Sequence, residues 1–149
     1  PAKWDKTATE GEPTSAWTSN YKFEGELTAS DVVLKEFDGL KFSGFGANNA
    51  VMYRVTNLRL SKACTITLPD LTSGQKVKLV ARSANSTATD RGFVFTNAAT
   101  EEGETTVLVP PGSEGSATIV VNVVDNGPVA IATGSGAAAG VEILSILID

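Results

Sequence analysis

The 149-residue sequence has no histidine, one cysteine (Cys64) and one methionine (Met52). Without histidine there is no Ser-His or Cys-His nucleophile pair, no imidazole proton shuttle and no His-ligated zinc. A single cysteine makes neither an internal disulfide nor a thiolate cage for a metal, and it leaves the redox compartment open. Aromatic residues are only 7% of the chain, so few rings are spare once a core has taken its share. No apolar run approaches the roughly 20 residues of a membrane-spanning helix. Basic residues are also few. Twelve Lys and Arg against seventeen Asp and Glu leave a net charge of −5, with no basic cluster, so nucleic acid is not an expected partner.

What is present suits one domain: the length, and a 42% hydrophobic fraction sufficient for a core. The chain opens on Pro1 rather than Met, which fits a processed secreted protein or a segment of a longer chain with further domains. Residues 1–19 are polar and carry Trp4 and Trp17 without period, reading as an extended leader. Residues 20–149 read as the single folded domain.

The texture of that domain is all-β: Val, Ile and Thr in short runs, broken by Gly, Pro, Asn and Asp. Tyr21, Phe23, Gly25 and Leu27 share one parity. Ser30 to Gly39 supports either a short capped helical turn or a strand. Leu40 and Phe42 open a short strand. Val51 to Leu60 reads as one long strand whose parity flips near Thr56-Asn57, the mark of a bulge or bend. Cys64, Ile66 and Leu68 alternate with threonines, which makes Cys64 a small core residue. With Val77, Leu79 and Ala81 that strand reads as a hairpin.

Gly92 to Thr96 and Thr105 to Val109 follow. Ala117 to Val124 is apolar on both faces and fits a central strand or an open edge. Asn126-Gly127 is a strong hairpin signal into Val129 to Thr133. In the last segment Leu144, Ile146 and Ile148 share a parity and are expected in the core. Nine or ten short strands without alternating helices predict an antiparallel β-sandwich, wound as a jelly roll or similar Greek key.

Four blocks carry a family resemblance: Asp38-Gly39-Leu40 with Phe42, Ile66 through Val77, Asp90-Arg91-Gly92-Phe93, and Gly136 with Gly140-Val141-Glu142-Ile143 and Ile146. From Gly39 to Asp149 the chain resembles the galactose-binding-like jelly-roll modules of secreted polysaccharide-degrading proteins of gut Bacteroidetes, especially beside pectate-lyase-type enzymes. The resemblance implies a secreted or cell-surface, non-catalytic module of polysaccharide utilisation that binds a polysaccharide or oligosaccharide. None of its motifs is a catalytic signature.

Sugar recognition needs flat rings for C–H edges and polar groups for hydroxyls. Two sets qualify: Trp17, Asn20 and Tyr21 at the start of the domain, and Asn48, Asn49, Tyr53 and Arg54, with Arg91 on a later strand. Trp17 and Tyr53 serve either as platforms or as packing. Arg91 could clamp a uronate carboxylate, or pair with its neighbour Asp90. No cofactor is expected, and a structural calcium, which sandwich modules of this kind often hold, is the one alternative left open. The acids lack a calcium-loop spacing, and Glu101-Glu102-Gly103-Glu104, the densest group, reads as a solvated loop. The competing function is a structural or adhesive sandwich that binds protein, for which an apolar edge strand awaiting a partner strand is the distinguishing feature.

Overall fold

A computed structural model describes residues 3–5, 25–27, 32–34, 40–44, 51–53, 57–134 and 136–149. They form fourteen strands: β1 Lys3–Asp5, β2 Gly25–Leu27, β3 Val32–Leu34, β4 Leu40–Ser43, β5 Val51–Tyr53, β6 Leu58–Leu60 and β7 Thr65–Leu71, then β8 Lys76–Ser83, β9 Gly92–Thr96, β10 Ala98–Ala99, β11 Thr106–Leu108, β12 Ala117–Val123, β13 Gly127–Ala132 and β14 Val141–Ile148. One 3-10 turn, Gly112–Glu114, interrupts them. The fold is an all-β sandwich of two antiparallel sheets. The first runs β10-β12-β8-β14-β6-β5-β2, with β1 also on β14; the second runs β11-β9-β13-β7-β4-β3.

Alternation explains the layers. Side chains of one parity point between the sheets and the other parity outward. The first sheet contributes Leu58, Leu60, Val77, Leu79, Ile119, Val121, Val141 and Ile143; the second contributes Leu40, Phe42, Ile66, Leu68, Phe93, Phe95, Val129 and Ile131. All of these are buried in one continuous core. From β6 onward every successive strand lies in the opposite sheet.

That wiring corrects both expected hairpins. β7 and β8 do not pair, and neither do β12 and β13; each pair is joined by an arch across the sandwich. The turn chemistry serves the arches instead. Ser73 N–H donates to Asn126 Oδ1 (2.9 Å) and Ser73 Oγ to the Val124 carbonyl (2.6 Å). Asn97, in the left-handed region at φ 63°, donates from Nδ2 to the Asp125 carbonyl at 2.8 Å. Its Oδ1 accepts from Asp125 N–H, also at 2.8 Å. Side-chain bonds between loops thus hold the Asn126-Gly127 segment open where a hairpin turn would have closed on itself.

Three further expectations change. The segment Val51 to Leu60 is not one long strand: β5 and β6 pair antiparallel, Tyr53 opposite Leu58, so the expected bend is a full reversal. Within the open alternative at Ser30 to Gly39, Val32–Leu34 is a strand, paired with β4. In β14 the register on β8 shifts between Ile143 and Ser145. Leu144 is the extra residue of this bulge, so the parity flips there. Val141 and Ile143 fill the core before it and Ile146 and Ile148 after it, while Leu144 is only half-buried. Within the expected leader, β1 lies on β14 with Trp4 opposite Ile146.

Candidate functional site

Of the residues nominated for sugar binding, Trp17, Asn20, Tyr21, Asn48, Asn49 and Arg54 lie outside the described residues. Tyr53 stands in β5 at the register position of core residue Leu58. Arg91 precedes β9 and is engaged by its own chain. Its Nη1 donates to the Ala139 carbonyl, and its Nε lies 3.5 Å from Asp90 Oδ1. A side chain at Gly140, which holds φ +92°, would strike that guanidinium. Arg91 therefore anchors the loop before β14. The rings with described side chains, Phe42, Phe93 and Phe95, are all buried, so none of these three offers a flat platform.

A groove lies elsewhere, on the side of the sandwich where β11 and the short β10 end their sheets. Its origin is the brevity of β10. After the Asn97 turn, β10 pairs with β12 at only two positions, Ala98 with Val123 and Ala99 with Asn122. Thr100 then takes the chain out of the sheet: its N–H donates to the Glu104 carbonyl (2.9 Å), and its carbonyl accepts from Gly103 N–H (2.9 Å). Glu104 N–H closes the turn on Thr100 Oγ1 at 3.1 Å. Beyond Asn122 the edge of β12 has no neighbouring strand among the described residues.

Hydrogen-bond alternation shows which groups are left open. Val123 N–H donates to the Gln75 carbonyl (2.9 Å), on the β8 side, and Val124 N–H to the Asn97 carbonyl (3.1 Å), on the β10 side. With a period of two, Ile119 and Val121 address β8, while Thr118 and Val120 direct N–H and C=O outward. Among the described residues no strand pairs with that stretch. β11 is similar. Phe95 N–H donates to the Thr105 carbonyl and Val109 N–H to the Arg91 carbonyl, so Thr106 and Leu108 face away from β9.

Between the two open edges lies a groove of about 510 Å³, with Val107, Leu108, Ile119 and Val120 along it and Glu101, Glu102 and Lys76 among its lining. Leu108 is 53% exposed and Val120 38%. The sequence carried half of this signal, since Ala117 to Val124 is apolar on both faces. The groove sets main-chain donors and acceptors, with which no described strand pairs, beside apolar surface.

A second, polar hollow of about 320 Å³ lies at the end of β8 and is lined by Arg82, Ser83, Ala84, Ser86, Gly112, Ser113 and Glu142. Register sets Arg82 opposite Glu142, and Arg82 Nε donates to Glu142 Oε2 at 2.8 Å. On the other flank of Glu142 register sets Arg59, whose buried Nε has no hydrogen-bond partner. Ser113 Oγ donates to the Ser86 carbonyl at 2.6 Å and fixes the rim.

Cys64 belongs to neither hollow. It is buried, and desolvation pushes its thiol from 9.0 up to about 12, with the hydrogen bond to the Ser43 main chain opposing. At pH 8 an aromatic disulfide reagent is expected to leave the native protein unmodified and to titrate one thiol after denaturation; rapid native reaction would contradict the burial. Between pH 9 and about 12 the unfolded thiol has lost its proton and the folded one keeps it, so stability falls as pH rises through that window. Among the described residues no three of His, Cys, Asp and Glu converge as metal ligands, and no helix is long and apolar enough to cross a membrane. No protein-family model matches this chain, and neither does any curated protein or solved structure.

Proposed function

We propose that this chain is a non-catalytic assembly or adhesive sandwich that binds protein, by taking an extended segment of another polypeptide onto the edge of β12. The observation that supports the reading is the outward-facing N–H and C=O of Thr118 and Val120, with which no described strand pairs, bordered by exposed Leu108 and Val120. An open, apolar strand edge is the feature that natural sheets cover, charge or use for pairing. A labelled peptide of alternating threonine and valine is expected to bind in fluorescence anisotropy. Val120→Lys is expected to weaken it at least about tenfold by charging the edge. Val120→Pro is expected to do the same without loss of fold, because the lost N–H is one that addresses no described strand. Equal binding by wild type and both variants would overturn the reading.

Carbohydrate binding, as an accessory module of a secreted or cell-surface protein, is a second reading. It has one observation in its favour: the hollow beside β8 combines a guanidinium, a carboxylate and serine hydroxyls, which suit a vicinal diol. Retention of an oligosaccharide on a glycan array, lost in Arg82→Lys, is the result this reading requires. The jelly-roll and galactose-binding-like character of the sandwich is part of the same proposal, and the alternation of β6 to β14 between the sheets supports it.

A further inference from the structure

We infer that the strand taken up by β12 runs antiparallel to it and carries a lysine or arginine at its N-terminal end, against Glu101 and Glu102. This rests on the strand-acceptor reading above and specifies its ligand. The open window is Ala117–Val121, bounded by the first residue of β12 and by Asn122, where β10 takes over. β10 already runs antiparallel along that edge, and both sheets are antiparallel throughout their named strands. An incoming strand in the same sense continues the line of β10, in the geometry that is slightly the more stable per residue.

Register then fixes the chemistry along the strand. Residues opposite Thr118 and Val120 exchange main-chain hydrogen bonds and point their side chains outward. Those opposite Ile119 and Val121 point into the groove toward Val107 and need to be apolar. The N-terminal end of an antiparallel strand reaches the Val121 end of the window. There the lining holds Glu101 and Glu102 against one cation, Lys76, which leaves one negative charge over. A basic residue completes that end and an acidic one is repelled.

Charge also selects against a second copy of this chain as the occupant. Symmetric pairing about Ile119 would bring exposed Glu114, three residues before β12, toward the partner's acidic turn, between two molecules each of charge −5.

The test compares two peptides of alternating threonine and valine, one headed by lysine and one by glutamate, by anisotropy with the whole chain at low salt. The lysine-headed peptide is expected to bind about tenfold tighter, the upper end of what two exposed charge contacts supply. The difference is expected to shrink to about twofold in the Glu101→Gln/Glu102→Gln variant and at high salt. Equal binding of both peptides would overturn the inference and leave the strand reading standing, whereas binding of neither would remove both. A dimer in sedimentation that Val120→Lys dissolves would make the occupant a second copy, and would equally overturn it.

Discussion

Phe93→Ala is expected to lower the free energy of unfolding by about 3–5 kcal/mol, the usual cost of removing a fully buried aromatic side chain. Phe93 is completely buried in β9, opposite Val107, and its ring centroid lies 6.2 Å from that of Phe95 at a 47° tilt. Both rings belong to the core between the two sheets. Two terms add: the lost transfer of the ring out of water, and the cavity left because neighbours held in two sheets cannot collapse onto it. A small domain has about 5–15 kcal/mol in total, so the variant should unfold at a much lower urea concentration with an unchanged slope. A loss below about 1 kcal/mol would mean that the ring is not in a packed core.

The residue before it gives the second large effect, by a different mechanism. A Cβ built on Gly92 meets the Val107 carbonyl oxygen and lies 2.8 Å from Leu108 Cα, both main-chain atoms of β11. No rotamer relieves a main-chain clash, so in Gly92→Ala the β9–β11 pair has to separate. The expected cost is about 2–3 kcal/mol, at the upper end for overpacking. It should be accompanied by loss of hydrogen-exchange protection at Val107 and Val109, and by weaker strand uptake, since β11 forms one wall of the groove. Wild-type stability with those amides still protected would show that β11 does not approach β9 so closely.

The strands were largely legible because each buries one parity. Cys64-Ile66-Leu68, Val77-Leu79-Ala81 and Ile119-Val121-Val123 all alternate in sequence and do so in the sandwich. Partner choice was not legible. Asn126-Gly127 has the residues of a tight hairpin, yet its outcome is decided by Asn97 and Ser73, far away in sequence, whose side chains bond the turn. Leu144 departs from its expected core position because a bulge is a single extra residue with no composition of its own.

The candidate site was half legible for a related reason. An apolar run on both faces is the same whether a strand is central or at an edge, and what makes β12 open is the two-residue length of β10. That length is set by the Asn97 turn and the Thr100 to Glu104 turn, neither of which advertises a sheet boundary. The reading of Arg91 as the partner of Asp90 agrees with their 3.5 Å approach. Its bond to the Ala139 carbonyl depends on a loop nearly fifty residues later.

The central claim is tested most directly by amide hydrogen exchange along β12 in the free protein. Ile119 and Val121, whose N–H groups address β8, are expected to be strongly protected, and Thr118 and Val120 to exchange orders of magnitude faster. Uniform slow exchange across all four amides would mean that the edge is already occupied, and would contradict the account.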